Sequence, residues 1–222
     1  SEVKRLKVWL VILWVTEEYV IHYFGGNGRA AIARAILTYA KADWTNDILN
    51  RDEWPKIKKS GLCEYEQVPV LEVDGKKYAQ SWAINLYLAK KFDLMGKDIE
   101  EDYQIHNVMN SHEDVSQAVM GIRRCTDESK KPEVIKAAKE KLSFFLGKLN
   151  ERYKANGKGK YFLGDKFTLA DIVLAVNYPN SCDMLGECPC AQVAPELGEL
   201  IKRVKEGELK EFHEKFYIKP DQ

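Results

Sequence analysis

The chain has 222 residues, in which 34 lysines and arginines balance 34 aspartates and glutamates. With no net field, neither nucleic acid nor an anionic membrane is an expected partner, and the length suits one large domain or two small ones in contact. Five cysteines in irregular positions form no disulfide framework and point to a reducing compartment, the cytoplasm.

The first legible feature is Val8 to Val15, VWLVILWV, far short of the roughly 18 apolar residues a membrane span needs. Basic Lys4, Arg5 and Lys7 precede it, but the TEEYV that follows lacks the small residues of a signal-peptide cleavage site. Residues 1–16 are therefore expected to stay as an N-terminal extension, an added strand or buried helical turn, with a partner surface and a larger assembly as the sharper alternative.

From Tyr19 the pattern alternates. A strand over Tyr19 to Phe24 hands over through Gly25, Gly26 and Gly28 to a helix over Arg29 to Ala40, with Ile32, Ala33, Ile36, Leu37 and Ala40 on one face. Trp44 to Leu49 reads as a second strand and Glu53 to Ser60 as a short helix. Asp74-Gly75 is a strong two-residue hairpin turn between Val70 to Val73 and Lys76 to Tyr78. Ser81 can cap a helix whose Ala83, Ile84, Tyr87 and Leu88 share a face. The order βαβα then ββα gives a mixed four-stranded sheet covered by helices, a domain over residues 17–93.

Beyond the polar link Asp93 to Glu101 the periodicity is helical throughout. Ile105, Val108, Met109, His112, Val115, Val119 and Ile122 form one stripe, and Ile135, Ala138, Leu142, Phe145, Leu146, Leu149 and Tyr153 another. An all-helical domain is expected over residues 101–222, making the fold α/β plus all-α. Thr168 stands three residues before Asp171 at the head of an apolar run, the spacing of a capping box.

Chemistry concentrates in the first domain. Pro69, at the start of a strand, suits an edge or a turn and a cis bond. It would leave the backbone of Val68 free to pair with an extended peptide, while Ser81 and the helix N-terminus beside it offer donors to an anion. A peptide backbone and a carboxylate together imply a small peptide ligand. Elsewhere the bland readings lead. His112 reads as a hydrogen-bonded interior residue. Asn110, Glu113 and Asp114 read as a solvated polar face rather than a cation cluster. Cys182, Cys188 and Cys190, with no CxxC pair and no fourth ligand at usable spacing, read as three small thiols in a loop, so no metal is expected.

The segments YFGGNGRAAIAR, EWPKIK, QVPVLEVDG, QSWAINLYLA, HEDV and FLGDKFTLADI, in this order and spacing, resemble glutathione transferases, most closely the sigma class with its glutathione-dependent prostaglandin synthases. The resemblance implies a thioredoxin-like first domain, glutathione as co-substrate, detoxifying conjugation of small electrophiles and a homodimer. It implies that the Tyr23 hydroxyl bonds the glutathione sulfur with Arg29 close by. Trp54 and Lys58 would hold the glycyl carboxylate, Gln67, Val68 and Pro69 the peptide backbone, and Gln80 and Ser81 the γ-glutamyl carboxylate. Asp114 would reach the γ-glutamyl amine of the other subunit's ligand. His22, Gly25, Gly26 and Asn27 depart from the family's usual loop. Gly121 stands where the prostaglandin synthases carry a tryptophan, which speaks against that isomerisation. A non-catalytic subunit of a larger assembly, joined through the extension, is the alternative reading.

Overall fold

The structure, a computed structural model, describes residues 17–216; the run Val8 to Val15 and the expectations placed on it lie outside them. Four strands, β1 (Tyr19–Tyr23), β2 (Trp44–Ile48), β3 (Val70–Val73) and β4 (Lys76–Ala79), form one sheet in the order β2-β1-β3-β4. β1 and β2 run parallel, joined by a crossover through α1 (Ala31–Tyr39), while β3 is antiparallel to both β1 and β4. The apolar strands lie in the middle, where Ile21 pairs with Leu71 and both are fully buried. The polar sequences WTNDI and KKYA take the edges, where charge discourages further pairing. Asp74 and Gly75 both have positive φ, 48° and 82°, as the tight hairpin requires.

Two elements differ from the sequence reading. The helix expected over Glu53 to Ser60 is only α2 (Trp54–Ile57), because the chain tightens into i,i+3 turns, Lys59 N–H to Lys56 C=O at 3.1 Å and Ser60 N–H to Ile57 C=O at 3.0 Å. Ser81 does not cap the next helix: it is the first residue of α3 (Ser81–Lys91), and the capping position belongs to Gln80, whose φ of 70° turns the chain into the helix. The Val68–Pro69 peptide is cis.

The remaining helices are α4 (Ile99–Arg124), α5 (Lys131–Ala155), α6 (Leu169–Leu185), α7 (Cys190–Val193), α8 (Pro195–Glu206) and α9 (Lys210–Phe216). α4 and α5 bury the two stripes read from the sequence, Ile105, Val108, Val115 and Val119 on one and Ala138, Leu142, Leu146 and Leu149 on the other. α6 is buried almost throughout and packs against α1, so the core runs unbroken from the sheet into the helices. For this reason every residue of α1 from Ala31 to Thr38 is buried, not only one face. Leu169 N–H donates to Leu94 C=O at 2.8 Å, tying the head of α6 to the segment after α3.

That head is the capping box expected from the sequence. The Thr168 side chain accepts from the Asp171 N–H, and Asp171 accepts from the Thr168 N–H at 2.9 Å. Asp171 also takes the N–H of Phe162 at 2.8 Å. Burial raises its carboxyl to about 6 although these hydrogen bonds favour the charged form.

The three neighbouring cysteines are not confined to a loop. Cys182 is buried in the last turns of α6, and Cys190 opens α7.

Candidate functional site

β1 ends at Tyr23, and the chain turns through residues 24–27 into a 3-10 turn, Gly28–Ala30, that runs on into α1. The Tyr23 hydroxyl accepts the backbone N–H of Arg29 at 3.1 Å. A Cβ on Gly28 would lie 2.5 Å from that hydroxyl, and φ there is +38°. Glycine is thus required twice over, for the space and for the backbone. One lone pair of the phenol is taken by the N–H, which polarises the O–H toward an outside acceptor.

The loop is clamped from within by Arg34, which the sequence reading passed over. Its side chain is 2% exposed and donates to Asn46 Oδ1 at 2.9 Å, to Gly26 C=O at 2.5 Å and to Phe24 C=O at 3.2 Å. The guanidinium carbon lies 5.6 Å from the centre of the Tyr23 ring. Burial lowers its pKa, opposed by the proximity of Tyr23. An arginine among Ile32, Ala33, Ile36 and Leu37 was the available signal, since a cation on a core helix must have partners.

Tyr23, Arg29 and Ser81 line one cleft of about 490 Å³ between the sheet and the helices, with Trp82, Asn85 and Glu113 on its walls. Glu113 joins the two halves: it accepts from Arg29 at 3.3 Å, from Trp82 Nε1 at 3.1 Å and from Gln117 at 2.6 Å. Burial raises its carboxyl, but these donors outweigh it and hold the pKa below the usual value. Glu113 is therefore not part of a solvated polar face, as its polar neighbours in sequence suggested. Asn85, 2% exposed, carries an Oδ1 with no hydrogen-bond partner among the described residues. His112 is interior, as read: Asn177 contacts its Nδ1 at 3.2 Å, and burial drives its pKa down to about 4. It is neutral at neutral pH and no proton acceptor of ordinary strength there.

The other residues singled out from the sequence flank this cleft or lie apart from it. Trp54 meets Phe24 edge-on at 5.3 Å between ring centres, and Lys58 pairs with Glu66 at 3.2 Å. Gln67 is exposed, Val68 half-buried and Pro69 buried in the segment leading into β3. Gln80 is exposed beside Ser81. Asp114 does not line the cleft. It is exposed and opens on a different cavity between α4 and α5, with Asn110, Lys148 and Arg152.

The sequence family described as glutathione S-transferase, N-terminal domain, matches residues 19–90, and the one described as glutathione S-transferase, C-terminal domain, matches residues 113–216. A probable glutathione S-transferase 5 of Caenorhabditis elegans is 33% identical over 194 residues, covering 84% of this chain and 90% of that one. Among solved structures, the sigma class transferase of Fasciola hepatica superposes with TM-score 0.79 at 28% identity, covering 93% of this chain and 99% of its own. A prostaglandin synthase D of Nilaparvata lugens gives TM-score 0.78 at 28% identity, with 90% and 100% covered. The chain belongs to the glutathione S-transferase family: a transferase with glutathione as co-substrate, built on a thioredoxin-like domain and a helical one. No helix among the described residues is long and apolar enough to cross a membrane.

Proposed function

We propose that the chain conjugates glutathione to small electrophiles, with Tyr23 donating its O–H to the glutathione sulfur and holding it as thiolate. A free thiol has a pKa of about 8.5. Lowering that by about two pH units takes about 2.7 kcal/mol of preference for the anion, near the upper end of the roughly 1.5 to 3 expected of one hydrogen bond to a charge. The observation that carries this reading is the Tyr23 hydroxyl itself, primed by the Arg29 N–H and kept clear by Gly28. The thiolate then attacks a substrate held beside it, with rate gained from thiolate fraction and proximity and no covalent intermediate on the enzyme.

On this reading residues 17–93 bind glutathione and residues 101–222 complete the second pocket. Ser81 and Gln80 take the γ-glutamyl carboxylate, Val68 the peptide backbone beside Gln67 and Pro69, and Trp54 with Lys58 the glycyl carboxylate. The outer wall combines Val119, Met120 and Met184 with Arg51, Arg123 and Arg124, which favours electrophiles with an apolar body and an anionic substituent. Asp114, turned to the α4/α5 side, reaches a ligand only in a second copy, which supports a homodimer. A sigma-class, cytoplasmic, detoxifying enzyme is the role in keeping with these features.

The test is turnover of a chromogenic aryl halide with glutathione. Conjugation that collapses in Tyr23→Phe supports the proposal. Glutathione binding with no turnover of any electrophile, unchanged by that substitution, would contradict it.

A further inference from the structure

α6 ends at Leu185 because Gly186, at φ 71°, reverses the chain in the left-handed conformation. Glu187 N–H donates back to Cys182 C=O at 3.1 Å, which folds the next residues over the end of the helix. Pro189 stiffens the Cys188-Pro189-Cys190 bracket, and its C=O accepts the N–H groups of Gln192 and Val193, both at 3.0 Å, to start α7. α8 presses on the bracket where it carries Gly198, whose would-be Cβ lies 3.3 Å from Cys190 Cβ.

The result is a convergence of sulfurs. The Sγ atoms of Cys182, Cys188 and Cys190 all lie within 4.8 Å of one another, and those of Cys188 and Cys190 are 3.1 Å apart. The three grade from buried through half-buried to exposed, giving a path in from solvent. Among the described residues no other group of three or more histidine, cysteine or acidic side chains converges in this way.

We propose that Cys182, Cys188 and Cys190 form a trithiolate site for Cu(I). A disulfide would bring two sulfurs to about 2.05 Å and leave the third unused. A metal at a bond length of about 2.3 Å from each of three sulfurs instead spaces them about 4 Å apart in a trigonal plane, a distance between the 3.1 Å of Cys188 and Cys190 and the 4.8 Å that bounds the set, so a small shift of Cys188 and Cys190 completes it. Thiolate ligands select Cu(I) and Zn(II) among the common metals. Zn(II) seeks four ligands, whereas Cu(I) accepts a planar set of three, the number this cluster provides.

On loading, three S–Cu bonds form and the protons of those cysteines that are still thiols pass to solvent; the copper enters and stays as Cu(I), so no electron is exchanged. The charge of Lys205 acts on Cys188 and suits the resulting anionic centre. The site is independent of the glutathione chemistry, although Ser181 and Asp183 on either side of Cys182 line the cleft.

The experiment uses the full, reduced chain without glutathione, titrated anaerobically with Cu(I) against a colorimetric Cu(I) chelator. One Cu(I) per chain is expected, with affinity falling on the order of 100-fold in the Cys188→Ser/Cys190→Ser double variant and unchanged in Cys63→Ser/Cys125→Ser. The surface pair is replaced because Cys182 is buried, and circular dichroism confirms that the double variant is folded. Retention of wild-type affinity in the double variant would overturn the site. Zn(II) that is bound by the same cysteines and not displaced by an equimolar amount of Cu(I) would overturn the choice of metal.

Discussion

The phenolic oxygen of Tyr23 stands between a backbone donor and the open cleft, so its chemistry depends on two neighbours as well as on itself. On the proposed function Tyr23→Phe removes a hydrogen bond to a charged sulfur, and kcat/KM is expected to fall roughly 10- to 150-fold, with the KM for glutathione nearly unchanged. Steady-state kinetics at fixed pH read both. Gly28→Ala places a methyl group against the same hydroxyl and strains a backbone at positive φ. We expect it to cost about 1 kcal/mol of stability or more and to lower kcat/KM while the tyrosine is still present. His112 makes a separate prediction. Its folded pKa, about 4, lies below the usual 6.5, so the fold favours the neutral ring. The stability it confers is complete above about pH 6.5 and is lost as the pH falls through 4, on the order of 3 kcal/mol over that window. The readout is the difference in unfolding free energy between wild type and His112→Phe. In that difference cancel His213, also lowered to about 4, and Asp171, raised and therefore opposite in sign.

At the scale of elements, α6 depends most on its first turn. Thr168→Ala removes a cap and is expected to cost about 1 kcal/mol, seen as a melting temperature lower by roughly 2 to 4 °C. Asp171→Ala strands the buried N–H groups of Phe162 and Thr168, so about 3 kcal/mol is expected. Equal losses in the two variants would contradict the network described. This turn was legible from the sequence because a capping box is local chemistry at fixed spacing. So were the hairpin at Asp74-Gly75 and the α4 and α5 stripes, where side-chain period and turn residues act alone. What escaped was set by contacts distant in sequence. Nothing in α1 announced that α6 would cover its second face, and nothing near Glu113 announced Arg29 and Trp82. Ser81 was misplaced by one residue because Gln80 adopts a positive φ that side-chain chemistry does not foretell.

The whole molecule raises the question of a second copy. Tyr23, Arg29 and Ser81 meet in one cleft, but Asp114 opens elsewhere, so on the proposed function Asp114 serves the glutathione of a second copy. In a homodimer Asp114→Ala is expected to weaken glutathione binding roughly 10-fold, with the dimer intact by sedimentation equilibrium. An unchanged affinity would remove Asp114 from the site. The match of YFGGNGRAAIAR, QVPVLEVDG and FLGDKFTLADI to the family made the architecture readable at once. The convergence of three thiols near in sequence was not readable, because the reversal at Gly186 is what returns Cys188 to Cys182.

The central claim is that one phenol sets the charge of a bound thiol. The measurement that tests it is a spectroscopic pH titration of the thiolate absorbance of glutathione bound to the wild-type chain and to Tyr23→Phe. The account predicts a midpoint about two pH units below that of free glutathione in the wild type, returning most of the way toward about 8.5 in the variant. A wild-type midpoint equal to that of the free thiol would contradict it.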